Sequence, residues 1–187
     1  MLARRVGWLI AVVGVMAVLT AGWPLVSRAV SANQPSAAGQ VLTIGPGGSD
    51  SAQFDPGPGW VINSAISDPL QAWRLARGPV NVTVLYVTLL NPSQAGRLWS
   101  GLGNILRLGD PSARLGRPVA LAGAPAGAGQ TGPVTENGHA GQVAVLPDAA
   151  ADFAVEVVSA APAGDSAAAR ATTALVVRSL RFPARAA

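Results

Sequence analysis

Hydrophobic and polar residues alternate along much of this chain, and a period of two is typical of β-strands with one buried face. In residues 80–90 every second residue from Val80 to Tyr86 is apolar, and from Leu85 onward both faces are apolar. Similar strand patterns occur at 41–44, 60–62, 71–76, 118–121, 131–136, 139–146 and 153–158. The Asn137-Gly138 pair predicts a type I′ hairpin, because both central residues of that turn need positive φ.

Two other segments have the spacing of amphipathic helices. Asn91 and Pro92 predict the start of the first helix, and Gly109 predicts its end. Its apolar residues recur at helical spacing: Ala95, Leu98, Trp99, Leu102, Ile105 and Leu106. The second helix begins with Asp165 as a predicted cap. One face of it is predicted to hold Ala168, Ala171, Leu175, Val176 and Ser179. The order of elements predicts an α+β domain, an antiparallel β-sheet packed by two helices.

The N-terminal residues have the pattern of a membrane segment. Arg4 and Arg5 precede residues 6–27, which carry no charge and would form a helix about 30 Å long, enough to cross a bilayer. Trp8 and Trp23 lie near the two ends, where indole rings favour the membrane interface. The arginines predict a single-pass transmembrane helix with a cytoplasmic N-terminus and an extracytoplasmic domain. A cleaved signal peptide is the alternative, although its apolar region is usually shorter.

These patterns divide the chain into four parts. Residues 1–28 are predicted to be the membrane anchor and residues 29–40, which are small and polar, a linker. Residues 41–183 form the predicted extracytoplasmic α+β domain, and residues 184–187 a tail. Within the domain, the Ala/Gly/Pro-rich residues 122–129 are predicted to be a loop.

Composition excludes several kinds of chemistry. The chain has no cysteine and a single histidine, and all 13 of its basic residues are arginine. Disulfides, Cys-based or multi-His metal sites and lysine-dependent cofactors are therefore excluded, and no cofactor is predicted. Three of the arginines flank the membrane segment, which leaves ten against nine acidic residues in the rest of the chain. A nearly neutral domain argues against a nucleic-acid partner.

Candidate catalytic residues are sparse. His139 could act as a general base with Asp148 or Asp152, but no nucleophile motif accompanies it, and a turn-flanking histidine is the simpler interpretation. The acidic residues mostly adjoin Pro or Gly and are interpreted as turn and cap residues: Asp50, Asp55, Asp68, Asp110, Asp148, Asp152, Glu156 and Asp165. The chain is therefore predicted not to be an enzyme, and a hydrolase that depends on His139 is the third hypothesis.

The tryptophans of the domain suggest a binding surface. Trp60 and Trp99 have the pattern of core residues. Trp73 could also cover the core, but an exposed Trp73 beside Arg74 and Arg77 would form a partner-binding patch.

Two short motifs resemble the PsbP-like superfamily of small α+β domains. Residues 54–60, Phe-Asp-Pro-Gly-Pro-Gly-Trp, are similar to its opening Pro-x-Gly-Trp strand. Residues 176–182, Val-Val-Arg-Ser-Leu-Arg-Phe, are similar to the end of its closing helix. The resemblance covers about residues 41–183 and implies a non-catalytic accessory or binding role. The lipidated cysteine common in the family is absent here, and the predicted anchor would take its place. High Ala, Gly, Pro and Arg usage without Lys is similar to proteins of actinobacteria with GC-rich genomes.

The first functional hypothesis is therefore an accessory module of the bacterial cell envelope that is anchored in the membrane and acts through a protein partner. The alternative is a carrier or sensor that binds a lipid or small molecule between the sheet and the first helix. A continuous, open apolar pocket beneath Leu98, Trp99 and Leu102 would favour this alternative, and a filled core there would exclude it.

Overall fold

Side chains along one central strand point alternately to the two faces of the sheet. In the computed structural model, which describes residues 33–37, 39–90, 97–121 and 129–183, Phe153, Val155 and Val157 point to one face. Ala154 and Val158 point to the other. Each set joins a separate hydrophobic core, so the sheet is the middle layer of the domain.

Eleven strands and two α-helices are present in the described part of the chain. The strands are β1 (Asn33–Pro35), β2 (Leu42–Gly47), β3 (Asp50–Phe54), β4 (Val61–Asn63), β5 (Ala72–Arg77), β6 (Val80–Thr88), β7 (Arg114–Leu115), β8 (Val119–Ala120), β9 (Gln130–Glu136), β10 (His139–Pro147) and β11 (Phe153–Pro162). The helices are α1 (Leu98–Gly109) and α2 (Ser166–Ser179), and a 3₁₀ turn (Ala163–Asp165) precedes α2.

Every strand pairing is antiparallel. The main sheet has the order β1-β4-β5-β6-β11-β10-β9-β7, and β8 pairs with β9 beside β7. β2 and β3 form a separate hairpin, which the backbone pair Gln53 and Arg181 joins to the segment after α2. A mixed α+β fold with an antiparallel sheet is therefore confirmed.

The two helices lie on opposite faces of the sheet. α2 and the β2–β3 hairpin cover one core, which contains Phe54, Trp60 and Leu146. α1 covers part of the other face, where Leu98, Leu102 and Leu106 are buried against β9, β10 and β11. The β4–β5–β6 half of this second face carries more polar and exposed residues, among them Arg74 and Asn81.

Several predicted features are confirmed and others are corrected. Asn137 and Gly138 both have positive φ, 50° and 73°, as a type I′ turn requires, and α1 ends at Gly109. The predicted face of α2 is only partly buried: Val176 is buried and Ser179 half-buried, but Ala168, Ala171 and Leu175 are exposed. Its buried residues are Ala169, Thr172, Thr173 and Val176.

Hydroxyl groups explain this difference. Thr173 and Ser159 on β11 hydrogen-bond to each other, and Ser159 also donates to the carbonyl of Ala169 at 2.8 Å. Threonine can therefore take a buried position that hydrophobicity alone assigns to leucine. Asp165 makes no side-chain cap hydrogen bond, and the 3₁₀ turn leads into α2 instead.

Some predictions fall outside the described residues. They are the membrane segment 6–27, the helix start at Asn91 and Pro92, most of the 122–129 loop, and the 184–187 tail. In the described part, neither helix has the length and apolar character needed to cross a membrane. Strand β1 lies within the predicted linker, so the sheet begins before residue 41.

Candidate functional site: a cleft under helix α1

An open cleft lies between α1 and the sheet, on the side of β6. It has a volume of about 270 Å³ and is open to solvent on one side. Most of its lining is apolar, and the lining residues are Val87, Thr88, Leu89, Arg97, Leu98, Gly101, Leu102, Ile105 and Glu156. Ligand sites are typically apolar concavities with a few polar groups, and this volume is slightly below their usual range of roughly 300–1,000 Å³.

The packing of Trp99 explains why the cleft stays open. Its indole Nε1 donates a hydrogen bond to the carbonyl of Gly116 at 3.1 Å, on the β7–β9 side of the helix. The ring lies against Gly132, where an added Cβ would approach its Cζ2 atom to 2.9 Å. The bulkiest side chain of α1 therefore packs away from β6. Gly101 borders the cleft and has nothing within 4 Å of where its Cβ would be.

A buried carboxyl group forms part of the lining. Glu156 is only 3% exposed and lies near the middle of β11. Its cross-strand neighbours are Leu85 on β6 and Val145 on β10, and along its own strand Ala154 and Val158 share its face. All four of these neighbouring positions are apolar.

This apolar environment changes the acidity of Glu156. Burial raises its pKa from 4.5 to about 7, because the charged form loses hydration that nothing replaces. Within residues 33–37, 39–90, 97–121 and 129–183, no group forms a hydrogen bond or ion pair with its carboxyl group. Arg97 is the other charged lining residue, and it is exposed at the rim. The cleft therefore combines apolar walls with an acid that changes charge near neutral pH.

The sequence interpretation missed Glu156. Its interpretation as a turn or cap residue is wrong, because Glu156 lies inside a buried strand. A usable signal was present: residues 153–158 are apolar on both faces apart from this one acid. A charged residue in such a run must be buried, and buried charges need a specific explanation.

The predicted partner-binding residues do not share one surface. Trp73 is half-buried, and its indole donates a hydrogen bond to the carbonyl of Thr43 at 2.8 Å. Arg77 is on the same sheet face and lies over the ring of Trp60, 4.8 Å from its centroid. Arg74 points to the opposite face. Whether these residues bind a partner stays a prediction.

The candidate base His139 is far from its proposed acids. His139 begins β10 and Asp148 follows its other end, so the two are about 30 Å apart at the rise of a strand. Asp148 accepts hydrogen bonds from the backbone N–H groups of Ala150, Asp152 and Phe153, which is a turn-stabilising role. The Nδ1 atom of His139 lies 3.0 Å from the carbonyl of Asn137 in its own hairpin. Among the residues that the structure describes, no cluster of His and acidic side chains could hold a metal ion.

The predicted anchor residues Arg4, Arg5, Trp8 and Trp23 lie outside the described residues. The two motifs that resemble the PsbP-like superfamily supply core residues. Phe54 and Trp60 are buried, and the ring of Phe182 lies 5.7 Å from that of Phe153.

Comparison with solved structures defines the class of fold. A layered α+β domain with a central antiparallel sheet is shared by proteins of very different origin. The Saccharomyces cerevisiae Ran-binding protein Mog1p is similar with a TM-score of 0.52 and 12% identity, covering 76% of this chain and 95% of Mog1p. LpqN, which is involved in cell envelope biogenesis of Mycobacterium tuberculosis, has a TM-score of 0.50 and 16% identity, covering 77% of this chain and 91% of LpqN. No family model and no curated protein sequence matches the chain.

Proposed function

We propose that this chain is a non-catalytic binding protein of the bacterial cell envelope that takes a small, largely apolar ligand in the cleft under α1. The open apolar volume beside Leu98 and Leu102 carries this proposal. The same position would be filled by side chains in a purely structural helix–sheet contact. A carrier or sensor function is therefore favoured over action through a protein partner alone.

The proposed location follows from the N-terminal residues. Arg4, Arg5, Trp8 and Trp23 have the pattern of a single-pass anchor with the domain outside the cytoplasm. The envelope role stated for LpqN, whose fold is similar, is compatible with this location. Fusing alkaline phosphatase to the C-terminus should give an active enzyme in bacterial cells. An inactive fusion, with a fluorescent protein active at the same place, would contradict it.

A protein partner is the second candidate, and a separate observation favours it. Ile105 and Leu108 on α1 are 61% and 86% exposed, and they lie one helical turn apart beside the cleft. Exposed apolar residues next to an open site are typical of binding surfaces. The fold is also that of Mog1p, a Ran-binding protein.

The proposed absence of catalysis has its own support. His139 and Asp148 are at opposite ends of β10, and this separation argues against the hypothesised pairing of the two in a hydrolase site. The test is turnover of ester and glycoside substrates by the full chain. Activity that His139→Ala abolishes would overturn the non-catalytic proposal.

One experiment separates the ligand from the partner. The full chain is purified from bacterial membranes in detergent, and bound small molecules and proteins are identified by mass spectrometry. Gly101→Leu puts a side chain into the open cleft, while Ser100→Leu adds the same group at a neighbouring exposed position. Loss of a small molecule in Gly101→Leu alone supports the cleft as the ligand site. A protein that stays bound to both variants, with no small molecule found, favours the partner instead.

A further inference from the structure

Glu156 is a largely buried carboxyl group that lines the cleft from the middle of β11. It is 3% exposed, lines the cleft and has no hydrogen-bond or ion-pair partner among the described residues. Since no fully buried side-chain oxygen in the described part of the chain lacks a hydrogen-bond partner, the carboxyl oxygens of Glu156 reach the open cleft. A buried ionisable group is normally paired or hydrogen-bonded, because burying an uncompensated charge is costly. The missing interaction points to a group that arrives with a ligand.

In the part of the chain that the structure describes, no positively charged side chain pairs with Glu156. Arg97 lines the rim but is exposed and makes no ion pair with Glu156. Of the other charged residues on or beside α1, Arg107 hydrogen-bonds to Asn104. Asp110 accepts hydrogen bonds from the backbone N–H of Asn137 and from Ser112. Residues 91–96, which precede Arg97 in the sequence, contain no ionisable side chain.

We propose that the cleft selects a ligand with an ammonium group on an apolar body, and that the ammonium pairs with the Glu156 carboxylate. This inference rests on the proposed function, since it names the chemistry of the ligand in the same cleft. An ammonium ion donates several hydrogen bonds and carries a positive charge, opposite to that of the carboxylate. The low dielectric of a buried site strengthens the attraction between the two charges. An anionic ligand would meet repulsion at Glu156, and a purely apolar one would bury the carboxyl group further.

The volume of the cleft sets the size of a suitable probe. A cavity of roughly 150 Å³ in another protein holds benzene. At about 270 Å³ this cleft can hold an aromatic ring with a short aminoalkyl chain. A matched pair of probes is 2-phenylethylamine and 2-phenylethanol, which have nearly the same shape but differ in charge.

The pKa values of Glu156 and of the amine determine how the affinity of the cleft for the amine changes with pH. Glu156 ionises across a pKa of about 7, whereas an alkylammonium group has a pKa of about 10, like lysine, and stays charged. Affinity for the amine should therefore rise between pH 5 and pH 8, while affinity for the alcohol should not. By reciprocity the bound amine must lower the Glu156 pKa. A neutral apolar ligand would raise it.

NMR on the full chain in detergent micelles tests both effects. The chain has only two glutamates, Glu136 and Glu156, so ¹³C-carboxyl labelling of glutamate gives two signals whose pKa values can be followed separately. The Ile105 methyl signal reports binding in the cleft, and Ile44 on the other sheet face serves as an internal control.

We expect the preference for the amine over the alcohol to increase about tenfold between pH 5 and pH 8, which corresponds to a drop of about one unit in the Glu156 pKa when the amine binds. Glu156→Gln should remove this preference, and Glu136→Gln should keep it. If both probes shift the Ile105 signal equally in the wild type and in Glu156→Gln, the charge-selective role is wrong and the proposed ligand cleft stands. If neither probe shifts Ile105, the ligand cleft and the inference are both overturned.

Discussion

Glu156 and Leu85 are cross-strand neighbours where β11 pairs with β6, and both point to the sheet face that carries α1. A carboxyl group beside leucine, in the middle of the sheet and next to an open cleft, makes no structural contribution that an apolar residue could not match. Its cost to the fold should be measurable.

The pH dependence of stability should reveal this cost. In the folded protein the pKa of Glu156 is about 7, above its value near 4.5 when exposed. The folded state therefore holds a proton that the unfolded state has lost, and stability falls as pH rises from about 4.5 to 7. Glu156→Gln should be more stable than the wild type by about 3 kcal/mol at pH 8 and nearly equal to it at pH 4.

Chemical denaturation of the full chain at several pH values measures this difference. Glu136→Gln is the matched control, because Glu136 is not buried in the core. Equal stability of Glu156→Gln and the wild type at pH 8 would show that the carboxylate has a partner in solution.

Gly132→Ala should disturb the packing of α1 on the sheet. The new Cβ would lie 2.9 Å from Trp99 Cζ2 and 2.9 Å from the backbone oxygen of Arg117, so the ring or the strand must move. Overpacking of this kind costs about 1–3 kcal/mol. Gly101→Ala, at an open position of α1, should instead stabilise the protein by up to about 1 kcal/mol. Unfolding followed by circular dichroism compares the two variants, and similar effects of both would contradict the tight contact at Gly132.

Thr173→Val should weaken the attachment of α2. The Thr173 hydroxyl hydrogen-bonds to Ser159, which donates to the carbonyl of Ala169 at 2.8 Å. Removing it from this buried network should cost about 1–2 kcal/mol. Thr172→Val changes the neighbouring buried threonine, which takes no part in the network, and should be close to neutral. A greater loss in Thr172→Val than in Thr173→Val, measured by chemical denaturation, would assign the stabilisation elsewhere.

Asp110→Asn should loosen the end of α1 from the β9–β10 hairpin. The carboxylate accepts a hydrogen bond from the backbone N–H of Asn137 at 2.6 Å and two more from Ser112. These bonds, the one from Asn137 foremost, lower its pKa below 3.8. Its stabilising contribution is therefore present above about pH 4 and is lost as pH falls through the folded pKa.

The variant should unfold at lower denaturant concentration than the wild type at pH 7, and the difference should shrink below pH 4. Asp165→Asn is the control, because Asp165 makes no cap hydrogen bond. An unchanged midpoint of denaturant unfolding in Asp110→Asn would mean that the three hydrogen bonds do not depend on the negative charge of Asp110.

The sequence predicted the elements whose pattern is strong. β6, β9, β10 and β11 follow the period of two, and the Asn137-Gly138 turn follows from backbone sterics. Strands β1, β3 and β7 were missed. β1 and β7 have only three and two residues, and β3 mixes polar and apolar residues, so none has a readable period.

Only the location of the candidate site was predictable from the sequence. The sequence pattern indicated where helix α1 meets the sheet, and the structure has a cleft there. That the cleft is open follows from Trp99, which packs toward Gly116 and Gly132, residues distant in sequence. Glu156 lies beside the cleft because β11 pairs with β6. The periodicity of a single segment does not show which strands pair with each other.

The order of strands has a consequence for how the chain is made. β6 becomes a central strand only when β11 pairs with it, and β11 follows α1 and strands β7 to β10 in the sequence. During synthesis, β6 is therefore an unprotected edge whose second half is apolar on both faces. Such edges invite pairing with other chains. We expect the nascent protein to need chaperones, which would protect the exposed edge of β6 until β11 emerges.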